Sequence, residues 1–359
     1  MKKTLFITMI AAALMGGQVF AAYIPTTTDA DMVDDGFYVG EYNQTADVSG
    51  ANVTINEEED GGEDFSGSRV YGGFTEGEQA IASNNSVTMT GGQVAAVEGG
   101  YSSSGDATYN TVTVSGGQVD EVYGGYSYFG NANNNSVTIT GGHVTSCLYG
   151  GYGAKTGNGN TVTITGGQVD EVYGGMGNEA ANGNTVVLSS CTVNGYVFAA
   201  KANGACTDNA IEIYGTGTTA KYIGGMQLLN FHIADGVLIS QKAMVNLTST
   251  SNGEGLNLTG VELGFNAADV QDWGKYEGKS ITLVTAAQAI TIDAGSLGKV
   301  AITDANGATV ATATLGLSGS NDMLSLSNIK GVTPVPEPTT GTLSLLALAA
   351  LAARRRKHN

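Results

Sequence analysis

Six carboxylates fall within eight positions at Glu57, Glu58, Glu59, Asp60, Glu63 and Asp64, with Gly61 and Gly62 between them. Acidic side chains gathered on a glycine-flexed loop could hold a hard cation such as Ca2+. The plainer reading is a solvated loop, which is what most charge runs are. Nothing else in the chain suggests a cofactor. Proton-transfer chemistry has few candidates. His143 and His232 each stand without a neighbouring nucleophile, and the bases nearest the repeats, Lys201 and Lys221, lack an accompanying arginine or acidic column. A sugar-cleaving β-helix lyase needs a base poised beside clustered carboxylates. The sequence therefore points away from an enzyme, with a carbohydrate-active β-helix lyase or hydrolase as the alternative.

Aromatic residues are placed more regularly. Tyr71, Tyr123, Tyr149, Tyr173 and Phe198 hold equivalent places beside a glycine pair, and Phe74, Tyr101, Tyr126 and Tyr152 recur three residues on. Two readings follow. Exposed rings could stack on sugars while their hydroxyls stay wet, or the rings could stack on one another and cover a corner of the fold.

The elements that position these rings are copies of one unit. Its clearest form is Asn110-Thr-Val-Thr-Val-Ser-Gly-Gly-Gln-Val-Asp-Glu-Val-Tyr-Gly-Gly-Tyr126. The opening asparagine returns at Asn85, Asn110, Asn135, Asn160, Asn184 and Asn209, at spacings of 25, 25, 25, 24 and 25 residues. Two β-branched runs per copy, each closed by Gly-Gly, read as strand-turn-strand-turn. Such a period predicts an all-β fold, a parallel β-solenoid (β-helix) of about seven rungs over residues 51–226, a degenerate first rung opening at Asn52. Like residues stack in such a fold. Inward ladders would run through Val112, Val137, Val162, Val186 and Ile211, and the asparagine amides would hydrogen-bond along a column. The glycines are expected to supply positive φ at the corners and to let the next coil pass close by. Gly116 to Gly124 comes near the Ca2+-binding nonapeptide but has Val119 where a glycine is needed, and its tandem nine-residue period is missing.

Residues 1–21 read as a secretory signal peptide: Lys2 and Lys3, an apolar run, then small residues at Val19 and Ala21. Residues 22–50 carry no repeat and are expected to cap the first rung, and residues 227–332 change to alternating runs without Gly-Gly, a β-rich C-terminal region. The formal charge is −18, and six of the 15 basic residues lie in the terminal segments. That balance excludes nucleic acid as a partner. The three cysteines of an exported chain should form one disulfide. Cys147 lies two rungs from the others, about 9.6 Å against a limit of about 7 Å between α-carbons. The expected pair is therefore Cys191 and Cys206, with Cys147 reduced and buried.

Two resemblances add to this reading. Trp273, Tyr276 and Ser280-Ile-Thr-Leu-Val-Thr285 resemble the ends of autotransporter-type, adhesin-like β-helices. At the C-terminus, Val335-Pro336-Glu337-Pro338-Thr339 is followed by an apolar run over 343–353 and by Arg354-Arg355-Arg356-Lys357. This three-part tail over 333–359 resembles the PEP-CTERM sorting signal of Gram-negative bacteria. The resemblance implies signal peptidase and an exosortase-type membrane protease as partners during export, and delivery to the cell surface or extracellular matrix. Eleven apolar residues span about 16 Å as a helix against a hydrocarbon core of about 30 Å, so the tail would touch the membrane only transiently. A short permanent anchor is the other reading. The expected function is that of a secreted, surface-sorted, adhesin-like or biofilm-matrix protein, with extracellular polysaccharide or host glycans as candidate ligands.

Overall fold

The computed structural model describes residues 20–23, 37–55, 67–251 and 253–332. The acidic run over 57–64, the sorting tail and the leader up to residue 19 lie outside them. The expected cut after Ala21 falls within the strand Phe20–Tyr23.

The repeats wind into a parallel β-solenoid of about seven turns followed by a C-terminal β region. Each complete rung has three faces. The first is a short strand, such as Thr111–Val114 or Ser136–Ile139, and the second is a long one, such as Gln118–Ser127 or Gln168–Gly177. The third is two residues wide and forms its own four-stranded sheet from Val48–Ser49, Ala82–Ser83, Ala107–Thr108 and Ala132–Asn133. Register is strict on the first face. Val87, Val112, Val137, Val162, Val186 and Ile211 stack one above another. These side chains are buried, and together with Val119, Val122 and their equivalents they fill a continuous core. Burial of each aliphatic side chain contributes about 1.5–3 kcal/mol.

The asparagines form the expected ladder in full. Asn135 is typical: its backbone N–H and its Nδ2 donate to Asn160 Oδ1 at 2.9 and 3.2 Å, and Nδ2 also donates to the Ala107 carbonyl at 2.9 Å. The column from Asn85 to Asn209 is buried and ends on Gln227, whose Oε1 accepts from Asn209 N and Nδ2. The first rung departs from the expected frame. Ala51, not Asn52, occupies the ladder position and donates its N–H to Asn85 Oδ1, because Asn52 pairs with Ser86.

The two glycine pairs of a rung divide between them the two roles expected of the glycines. In the first pair Gly92, Gly117, Gly142 and Gly167 take φ of 72–82°, where other residues are strained. The second pair lies outside the left-handed region and is there for space. A methyl on Gly99, Gly124, Gly150 or Gly174 would sit 2.1–2.3 Å from a carbonyl oxygen of the next rung. One on Gly100, Gly125 or Gly175 would sit 2.3–2.6 Å from a ladder asparagine.

The solenoid extends beyond the repeats at both ends. Phe37–Asn43, expected in a non-repeating cap, pairs in parallel with Arg69–Thr75 and places Val39 under Tyr71 and Tyr42 under Phe74. After the last repeat, Leu228–Ile233 and Glu262–Ala267 continue the first face in parallel, and Val245–Leu247 and Ile281–Ala286 stack beside them. Pairing then turns antiparallel through Gly298–Thr303, Thr309–Leu317 and Met323–Gly331, with Met323–Gly331 also lying along Ile281–Ala286. A hairpin laid against the last parallel strand covers an edge that would otherwise invite further stacking.

Candidate aromatic face

On the long strand the glycine pair separates two aromatic positions three residues apart. A regular strand would send these to opposite sides. The bend at the glycines instead brings them together on the outer surface: Tyr123 and Tyr126 meet edge to face at 5.2 Å, and Tyr149 and Tyr152 at 5.4 Å. Along the axis the rings stack. Tyr123, Tyr149, Tyr173 and Phe198 lie 5.0–5.7 Å apart at interplanar angles of 7–13°. Phe74, Tyr101, Tyr126 and Tyr152 form a second column at 4.5–5.4 Å and 9–21°.

This stacking determines what the rings present to solvent. Each ring in the middle of a column spends both faces on its neighbours, and Tyr71, Tyr123 and Tyr173 are buried while Tyr149 and Phe198 are half-buried. What the second column offers outward is half-buried ring edges. Burial, reinforced by neighbouring carboxylates and phenols, pushes the phenol of Tyr126 up to about 12, and those of Tyr123, Tyr149 and Tyr173 are raised as well, so all stay protonated donors.

One position breaks the first column. Glu98 stands between Tyr71 and Tyr123 in strict register and is 1% exposed. Arg69 Nη1 donates to its Oε1 at 3.0 Å and Nη2 reaches Glu121 Oε2 at 3.4 Å. Among the described residues Glu98 Oε2 has no hydrogen-bond partner. Burial outweighs the favourable charge of Arg69 and lifts the Glu98 carboxyl from 4.5 to about 8. Aligning Val97-Glu98-Gly99-Gly100 with Val122-Tyr123-Gly124-Gly125 would have found it from sequence. Further along, Tyr173 donates to Glu171 Oε2 at 2.8 Å, and Lys201 Nζ lies 5.4 Å from the Tyr173 ring centre and 5.9 Å from that of Phe198.

The histidines are less isolated than the sequence suggested. His232 stacks on Tyr214 at 3.8 Å, and its Nε2 lies 2.6 Å from Glu212 Oε2. Burial would raise Glu212, but bonds from His232 and Asn230 hold it below its ordinary value. His143 Nε2 lies 3.9 Å from Asp170. The tandem arrangement that makes these pairs, a residue opposite another one rung away, is invisible without the register.

All three cysteines are free thiols, contrary to the expected bridge. Cys191 is buried at the corner after the first face, whereas Cys206 lies at the corner before it. The five-residue strand Thr185–Ser189 spans that face, about 16 Å at a strand rise of ~3.3 Å, well beyond disulfide reach. Cys147 is half-buried rather than buried as expected, and an irregularity in the strand between Val144 and Cys147 sets it opposite Glu121 and Glu171.

The tail supplies the decisive comparison. Residues 334–357 match the PEP-CTERM protein-sorting motif. The chain is thus exported, sorted to the cell surface and processed by an exosortase on the way. No curated protein and no solved structure matches the chain. Among the described residues no helix is long and apolar enough to cross a membrane.

Proposed function

We propose that this protein is an adhesin-like or matrix-associated component that works by binding extracellular polysaccharide or host glycans along its solenoid, without catalysing their cleavage. The observation that carries this reading is the joining of a PEP-CTERM tail to a body with a long outer face of ordered phenols and carboxylates. A rigid face repeating at the rung spacing of ~4.8 Å suits a polymer that also repeats. The hydroxyls of Tyr101, Tyr126 and Tyr152 recur along it at that interval, each with a half-buried ring behind it.

The test is a glycan array probed with the exported chain, followed by incubation with whichever polysaccharides bind. Retention of the polymer at constant chain length is expected. New reducing ends or unsaturated sugar products would replace the binding reading with the enzymatic one, and the Glu212–His232 pair would be the first group to substitute. Absence of binding to every glycan would refute the proposal.

A further inference from the structure

Sugar recognition by aromatic rings needs a free ring face, since it is the apolar C–H face of a pyranose that packs on it. The stacked columns have none to give in their interiors. Among the described residues Tyr128 and Phe129, at 53% and 60%, are two of the four most exposed large hydrophobic side chains. They follow the long strand Gln118–Ser127 directly and meet edge to face, with ring centres 4.6 Å apart at 87°. An edge-on ring covers at most one face of its partner, so this pair retains open aromatic surface. Tyr126 is half-buried, Ser127 buried and Tyr128 exposed, so alternation along the chain turns Tyr128 outward on the same side as Tyr126 of the second column.

Nothing in the architecture requires aromatic residues there. The preceding rung has Ser103 and Ser104 at these positions and the following rung Ala154 and Lys155, with the same inter-rung hydrogen bonds from Tyr128 N to Ser102 O and from Ala154 N to Ser127 O. Water-exposed aromatic side chains cost solubility and contribute nothing to the core, so a departure from the repeat at two adjacent positions calls for a role outside folding.

Charge narrows the ligand. From residue 69 to residue 155 the chain carries the carboxylates Glu76, Glu78, Asp106, Asp120 and Glu121, with the buried Glu98 holding its proton, against Arg69, which faces Glu98 and Glu121, His143 and Lys155. Asp106 lies against Gly130, and Glu76 accepts from Tyr42 at 2.8 Å. A polyuronate or sulfated glycan would be repelled by this surface. Carboxylates and phenols are good partners for neutral hydroxyls.

The geometry points to Tyr128 and Phe129 as the stacking platform for an uncharged, equatorially linked polysaccharide, whose chain runs on along the hydroxyl edges of Tyr101 and Tyr126. This rests on the glycan-binding reading above and gives it a place and a substrate class. The test uses the exported chain with cello-oligosaccharides as probe, polygalacturonate as charged comparator, and three proteins: wild type, the double variant Tyr128→Ser/Phe129→Ser, and Ile239→Ser, which removes an exposed apolar side chain from the C-terminal region instead. The double variant copies the preceding rung and should keep the wild-type circular dichroism. Wild type and Ile239→Ser are expected to bind cello-oligosaccharides in preference to polygalacturonate, with the double variant at least tenfold weaker. Equal affinity of wild type and double variant would overturn this site while leaving glycan binding intact. Preference for polygalacturonate would overturn the ligand class. If wild type bound no glycan but dimerised, and the double variant were monomeric, the pair would be a self-association patch and both readings would fail.

Discussion

Replacing Asn135 by alanine should break the solenoid at one rung. Its Oδ1 accepts the backbone N–H of Asn110 at 2.9 Å and Asn110 Nδ2 at 3.1 Å, while its own Nδ2 donates to the Ala107 carbonyl and to Asn160 Oδ1. Alanine removes all four bonds and leaves two donors and a carbonyl in a place where Asn110 and Asn135 are 0% and 1% exposed. At about 1–3 kcal/mol for each buried group left without a partner, the loss is about 3 kcal/mol or more. Strand pairing on either side is untouched, so the damage is confined to the boundary between neighbouring rungs, and the stability of a repeat array depends on such boundaries. Urea unfolding followed by circular dichroism should show a lower midpoint and a broadened or split transition. Hydrogen exchange should show the amide of Asn110 opening before that of Asn184. A loss below about 1 kcal/mol, with Asn110 still protected, would refute the view that the ladder holds the rungs together.

Three other outcomes are expected. Glu98 holds its proton up to about pH 8 when folded and releases it near 4.5 when unfolded, so its contribution is present below 4.5 and is lost as pH rises to 8. That costs up to about 5 kcal/mol, and Glu98→Gln, which keeps the acceptor for Arg69, should flatten the pH profile of the urea midpoint between 5 and 8. Parallel profiles for the two proteins would reject the buried-acid account. Gly125→Ala would bring a methyl within 2.6 Å of Asn135 Nδ2 and should destabilise by about 1–3 kcal/mol although φ is permissive, whereas a neutral thermal melt would show that the ladder yields. Thiol titration of the oxidised, exported chain should find three free thiols on unfolding, with Cys191 the slowest to react when folded; two missing thiols would mean that the corners lie closer than the structure places them.

The repeat and its asparagine ladder were legible because identical residues at a constant period must occupy identical places, and one hydrogen-bonding pattern satisfies them all. Where the period lost its markers, legibility went too. Phe37–Asn43 carries one glycine, Gly40, in place of a pair, and Asn52 offered a tempting but wrong origin for the first rung, one position late. The C-terminal rungs were missed for a related reason: Leu229, Phe231 and Ile233 face inward as the repeats do, but the loops between these strands vary in length and erase the period. The cysteine pairing failed because sequence gives the order of corners along the coil and not the width of the face between them. For the aromatic residues, both readings were open until ring orientation was known, since spacing alone cannot say whether a ring turns its face to its neighbour or to water.

The ladder also makes the rung a unit that can be counted. Removing residues 110–134 would join Tyr109 to Asn135 and leave Asn85 facing Asn135 across the same distance it now has to Asn110, with Val87 meeting Val137. The shortened chain would lose ~4.8 Å of length, Tyr128 and Phe129, and the contact of Glu121 with Arg69, while the asparagine and valine ladders close up. Duplication of the same stretch would lengthen the rod by one step and present a second copy of the pair. Length and valency are therefore set in this protein by how many times one segment of 25 residues is copied, so that unequal recombination between repeats could retune both in a single event without disturbing the sorting tail.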